Sequence, residues 1–206
     1  MALHEKRNQM KIICLTSGGL DSSFLLFMLK KEKHEVLPLY INYGHKASQM
    51  EMNSFHKVCK FLKLEGEIID AEGINKIKSG LTTKEIPESE YPFFPARNLL
   101  LFTIGSAYAF SRSAHIISMG FLKNPEFPDQ TNDFITSAEK TVQLAMGITM
   151  KLFTPLIRLD KREVIQLAKK YHFPLELTYS CYGGKSTPCG KCKACLNRET
   201  AMVGTK

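Results

Sequence analysis

The sequence predicts an α/β fold, a parallel sheet with helices on both faces, followed by a C-terminal four-cysteine element. Three observations carry this. Short apolar runs alternate with segments of helical period, the runs end in turns or irregular stretches, and four cysteines cluster between residues 181 and 195. Strands covered on both sides read as short apolar runs, and alternation with helices favours parallel pairing.

Lys11 to Thr16 (KIICLT) leads straight into Ser17-Gly18-Gly19, which predicts a buried strand ending in a tight turn. A helix follows, with Phe24, Leu25, Met28 and Leu29 on one face and Lys30, Lys31 and Lys33 closing it. Val36 to Ile41 is the second strand. From Ser48 to Leu64, Met52, Phe55, Val58, Cys59 and Leu62 fall at amphipathic helical spacing, and Glu67 to Ile69 predicts a third short strand. Residues 72–95 lose periodicity and contain Gly73, Gly80, Pro87, Pro92 and Pro95, a loop long enough to be read as functional or mobile. Helix returns at Arg97–Ser111, strand at His115–Met119, an irregular stretch at Lys123–Asn132 and helix at Asp133–Met146. Asp160 and Glu163 predict a capping box for a helix over Lys161–Tyr171.

Of the 206 residues, 44% are hydrophobic, enough for a full core. No run approaches the roughly eighteen apolar residues of a membrane span. The first ten residues, MALHEKRNQM, lack the apolar stretch of a secretory signal, so the expected location is cytoplasmic. The net charge of +8 suits anionic partners without choosing between nucleotides and nucleic acids.

The segment Ser17-Gly18-Gly19-Leu20-Asp21-Ser22-Ser23 carries the strongest chemical signal. A strand enters and a helix leaves, so free backbone N–H groups gather at a helix N-terminus, where the dipole also favours anions. The glycines allow close approach to phosphate, and the hydroxyls of Ser17, Ser22 and Ser23 add donors. No Lys follows as in the Walker pattern. Asp21 either caps the helix or helps hold Mg2+ on the phosphates. Cys181, Cys189, Cys192 and Cys195, spaced C-x7-C-x2-C-x2-C, form a closed tetrahedral set read as a structural Zn2+ site. An iron–sulfur cluster is the alternative. Cys14 and Cys59 are read as core residues.

The S-G-G-x-D-S turn resembles the PP-loop of the ATP pyrophosphatases. With Phe94-Pro95-Ala96-Arg97-Asn98, Thr154-Pro155-Leu156, Ser180-Cys181-Tyr182 and the segment Cys189 to Arg198, the chain resembles the 7-cyano-7-deazaguanine synthase branch of that superfamily. The resemblance implies a Rossmann-like, adenine nucleotide alpha hydrolase-like fold. Residues 1–175 would be the ATP-binding domain, with 176–206 a zinc-binding tail packed on it. It implies an ATP-dependent carbon–nitrogen ligase that converts 7-carboxy-7-deazaguanine to the nitrile with ammonia through adenylated intermediates, in queuosine-type biosynthesis. Cofactors would be ATP, Mg2+ and Zn2+. Asp21 and Arg97 are the candidate catalytic residues; residues 17–23 and Asn98 are the candidates for nucleotide contact.

Two segments depart from the family pattern. Where the family shows Y-G-Q-R-H, this chain has Tyr43-Gly44-His45-Lys46-Ala47, and His45 is read as a partly exposed loop histidine without a catalytic role. Where the family shows G-x-x-x-x-D-[FY]-S-G-Y-P-D-C, the chain runs from Gly120 to Gln130, keeping Pro128 and Asp129 but not the S-G-Y or the Cys. This loop is expected to line the substrate pocket. A second reading is therefore a paralogue that activates another acid, stops at the amide, or transfers the acyl group to another amine, in a nucleic-acid modification or phage-defence setting. A tRNA sulfurtransferase and a non-enzymatic zinc-ribbon nucleic-acid binder are the remaining alternatives. Expected partners are a small carboxylic acid and ammonia, with no membrane and no nucleic acid as direct substrate. A homodimer is carried as one oligomeric state, and a protein acceptor or partner belongs to the paralogue reading.

Overall fold

The computed structural model describes residues 9–83 and 93–203, so part of the irregular 72–95 stretch, including Pro87 and Pro92, lies outside the described residues. Five parallel strands form one sheet: β1 (Lys11–Leu15), β2 (Glu35–Asn42), β3 (Glu67–Asp70), β4 (Ile116–Ser118) and β5 (Lys151–Phe153), in the order β3-β2-β1-β4-β5. Six helices connect or follow them: α1 (Leu20–Lys31), α2 (Ser48–Leu62), α3 (Arg97–Ser111), α4 (Asn132–Met146), α5 (Lys161–Lys170) and α6 (Lys193–Val203).

The strand period of two divides the core into two halves. Ile12 and Cys14 of β1, with Val36 and Tyr40 of β2, pack against Phe24 and Leu25 of α1, Phe55 and Val58 of α2, and Val164 of α5. Ile13 and Leu15, with Leu39 and Ile41, face the other way onto Phe102 and Ala109 of α3 and Ala138 and Val142 of α4. Each large side chain so buried contributes about 1.5–3 kcal/mol. Both cysteines outside the cluster, Cys14 and Cys59, are buried in the first half, and burial raises each thiol to about 12.

Two elements were not expected from the sequence. β5 is three residues long and is held by register with β4, Ile116 opposite Lys151 and Ser118 opposite Phe153. α6 begins inside the cysteine segment. The predicted capping box of α5 is present: Asp160 accepts from the Glu163 N–H at 2.9 Å, and Glu163 accepts from the Asp160 N–H at 2.8 Å.

All strands run the same way, so their carboxyl ends share one edge. The order reverses between β1, which continues to β2 and β3, and β4, which continues to β5. Such a switch point opens a crevice for ligands. The turn after β1 and the loop after β4 meet there: a Cβ built on Gly120 would stand 3.0 Å from the Ser22 nitrogen.

Candidate active site

The turn after β1 is held by its own atoms. Ser17 N–H donates to the Ser22 hydroxyl at 3.1 Å, the two hydroxyls lie 3.1 Å apart, and Gly19 N–H donates to Ser17 Oγ at 3.2 Å. Gly18 has φ +76°, and a Cβ there would meet the Glu51 carbonyl oxygen at 2.3 Å. Only glycine fits this position without strain. Gly19 precedes α1 with no side-chain cap, leaving the N–H groups of the first turn without a side-chain acceptor. A cavity of about 790 Å³ opens in front of it. Ser17, Gly19, Leu20, Asp21, Ser22 and Asn98 line that cavity; Gly18 turns toward α2, and Ser23 is wholly buried beneath the helix.

Asp21 lies across the cavity mouth from α5, where Lys161 Nζ pairs with its Oδ2. The other oxygen, Oδ1, is buried with no hydrogen-bond partner. The carboxylate on this turn has a cation beside it, and Lys161 supplies it across 140 positions of sequence.

Arg97 opens α3 after Ala96, whose φ is +54°. Burial works against its charge, yet Tyr43, Tyr182 and Glu51 outweigh that and raise its pKa, so it remains a cation facing the cavity. Its guanidinium also lies 5.8 Å from the centre of the Phe127 ring. Tyr43 is pushed up to about 12, chiefly by burial, with Arg97 pulling the other way. Asn98 is committed to Asp129: its backbone N–H donates to Oδ2 at 2.9 Å, and its side-chain amide donates to Oδ1 at 3.0 Å and to the backbone carbonyl at 3.1 Å. The retained aspartate of the altered loop thus fastens that loop to the start of α3. The same loop docks on α6, where Asn197 donates to Glu126 at 2.7 Å. Phe121, Leu122, Asn124, Glu126 and Phe127 line the cavity, as expected for a loop that shapes a pocket.

His45 is not partly exposed. It is 4% exposed, stacked on Tyr43 with ring centres 4.3 Å apart, and its Nε2 lies 3.0 Å from Glu51 Oε2. The loop preceding α2 folds inward because Gly184 of the cysteine segment sits on the Lys46–Ala47 peptide, where any Cβ would lie 2.0 Å from the Lys46 oxygen.

The ligand atoms of Cys181, Cys189, Cys192 and Cys195 lie within 4.8 Å of one another. All four are free thiols, with Cys181 and Cys192 buried. Burial raises the Cys181 thiol, but N–H groups of Cys189 and Gly183, each 3.3 Å from its sulfur, reverse this and the net shift is downward. Cys195 is pushed up strongly, first by burial and then by the neighbouring sulfurs. Four sulfurs this close accommodate negative charge together only with a cation among them, and their spacing suits a tetrahedral ion with bonds of about 2.3 Å. The cluster could hold a metal. It joins the phosphate turn directly, because Tyr179 N–H donates to the Gly18 carbonyl at 3.0 Å.

The family model described as queuosine biosynthesis protein QueC matches residues 11–206. The chain belongs to the QueC family. A relative from Campylobacter jejuni named 7-cyano-7-deazaguanine synthase is 33% identical over 91% of each chain. One of the same name from Methanococcus maripaludis is 33% identical over 94% of each. Solved structures share the fold at low identity. NMN synthetase from Francisella tularensis gives a TM-score of 0.57 at 15% identity, covering 98% of this chain and 79% of that one. NH3-dependent NAD synthetase from C. jejuni gives 0.51 at 17% identity, covering 83% and 67%. For this QueC member the sequence singled out the turn, Arg97, Asn98 and the cysteines. It missed Lys161, whose partner is distant in sequence, and Glu51, which was one polar residue on an amphipathic helix.

Proposed function

We propose that this chain uses ATP to activate the carboxylate of a 7-deazaguanine acid and, with ammonia, converts it to 7-cyano-7-deazaguanine. The observation that carries the reading is that one cavity is walled by the phosphate turn, by Arg97 and by the 120–130 loop. A nucleotide and a second, anionic substrate therefore fit side by side. A carboxylate does not exchange oxide for ammonia; transfer of AMP to it, with release of pyrophosphate, supplies a competent leaving group. A second adenylation on the amide oxygen allows its loss as AMP and leaves the nitrile.

In this reading the backbone N–H groups after Gly19 would receive the polyphosphate, and Asp21 would help hold the Mg2+ that neutralises it. Arg97 holds the acid or a phosphate oxygen with its planar fork. Asn98 acts on the nucleotide side only through the oxygen of its amide, its N–H groups being given to Asp129. Zn2+ is the expected metal of the four-cysteine set; it would hold the 181–195 loop in place and leave no open position for chemistry.

The altered 120–130 loop favours a second reading, in which a different acid occupies the same cavity or the reaction ends at the amide. Purified protein with Mg-ATP, 7-carboxy-7-deazaguanine and ammonium tests both, with AMP, pyrophosphate and product mass recorded. Nitrile with AMP and pyrophosphate is expected. AMP with amide alone, or turnover only with another acid, favours the second reading, and absence of any acid-dependent AMP overturns both.

A further inference from the structure

Four carboxylates line the cavity, and three are engaged. Asp21 pairs with Lys161, Asp160 caps its own helix, and Glu126 is held by Asn197. Glu51 is different. Its side chain approaches the His45 ring, at 3.0 Å from Oε2, a contact that is off-axis, since neither ring nitrogen makes a well-directed hydrogen bond, and its charge is felt by Arg97. Among the described residues Oε1 receives no hydrogen bond.

The surroundings of Glu51 suit a small cation. Arg97, Lys161, Arg162 and Arg198 also line the cavity, a set that attracts anions and repels cations. Glu51 interrupts it, on a wall of the cavity shared with Tyr43 and Tyr182. Its own main-chain carbonyl abuts Gly18, and Glu51 lines the same cavity as Ser17, Gly19 and Asp21. The stack of His45 on Tyr43 fixes this corner, and His45 occupies one of the positions where the chain departs from the Y-G-Q-R-H element.

We propose that Glu51 binds ammonium in the cavity and takes a proton from it before attack on the activated acid, with His45 positioning the carboxylate; this rests on the acid-activation reading above. Ammonia is mostly ammonium at neutral pH, and only the unprotonated form has a lone pair to give. The proton of ammonium passes to Glu51 and on to water. The nitrogen lone pair then forms the C–N bond as the C–O bond to AMP breaks, with that electron pair leaving on AMP. The new amide nitrogen sheds one further proton to solvent.

The test compares the full chain with its Glu51→Gln variant at neutral pH, following product with ammonium and with hydroxylamine, which is largely unprotonated there. The expected result is a KM for ammonium raised about tenfold or more, a KM for ATP moved less than about twofold, and turnover with hydroxylamine largely kept. His45→Gln keeps the carboxylate and is expected to raise the ammonium KM by a smaller factor; it also serves if the first variant folds poorly. An unchanged ammonium KM, or ammonium and ATP constants rising together, overturns the proposal and shows Glu51 serving Arg97 or the turn instead. Acid-dependent exchange of pyrophosphate into ATP, run without ammonia, separates the two levels. Exchange in the wild-type chain with an unmoved ammonium KM rejects the Glu51 site alone, whereas no exchange at all rejects acid activation and the Glu51 site with it.

Discussion

The phosphate turn and the cysteine segment sit side by side at the same edge of the sheet, yet they are stabilised in opposite ways. Residues 17–23 are fixed by backbone, by the two serine hydroxyls and by a glycine whose neighbours leave no room for a Cβ. Residues 181–195 contain no strand and a helix only at their end; four sulfurs converge there in a set that could hold a metal. One region is held by its own backbone and hydroxyls, the other gathers side chains of metal-ligating type. Pre-formed anion sites tolerate an empty state because their donors can turn to water, whereas gathered thiolates repel one another.

The largest expected effect tests the cysteine half. Cys192→Ser, or prolonged chelation, is expected to release bound metal and cost about 4 kcal/mol or more of stability, read by metal analysis and chemical denaturation. Retention of full stability without metal would erase the contrast. Next, Gly18→Ala forces a side chain to 2.3 Å from the Glu51 oxygen. It should lower acid-dependent AMP release at least about 100-fold, while metal content stays near that of the parent chain. Asp129→Ala removes the carboxylate that accepts from the Asn98 backbone N–H and side-chain amide, leaving the amide only the residue-129 carbonyl, and a loss of about 2–3 kcal/mol is expected in urea unfolding, with a higher KM for the acid. The smallest effect is expected for Lys161→Met, which leaves the backbone donors in place: about a tenfold rise in the KM for ATP, measured by pyrophosphate release.

Most of the sheet was legible because its long helices and apolar strands carry their own periodicity. Phe24, Leu25 and Leu29 mark α1, and Phe55, Val58 and Leu62 mark α2, through spacing alone. β5 was not legible. Lys151-Leu152-Phe153 is too short to show alternation, and it is a strand because β4 offers it a ladder. α6 was hidden for another reason: Cys192 and Cys195 draw the eye to metal spacing, and the polar run from Asn197 to Thr200 has little apolar stripe. At the site, residues adjacent in sequence were found and those joined only by folding were not. Lys161 reaches Asp21 from another helix, and His45 changes from loop residue to buried partner because Gly184, far along the chain, presses on its loop. Spacing reports local geometry; it is silent on which loops share an edge.

Near the end of the described chain, Ala201 of α6 packs with Leu20 at the start of α1 and Ile165 of α5. A methyl group from the last helix therefore braces the first. Proteolytic nicking on the C-terminal side would be felt as slackness in the earliest turn of the molecule, and bound nucleotide would in return shield that distant peptide from cleavage. Protease resistance of α6 is thus a remote gauge of what the opening loop is holding.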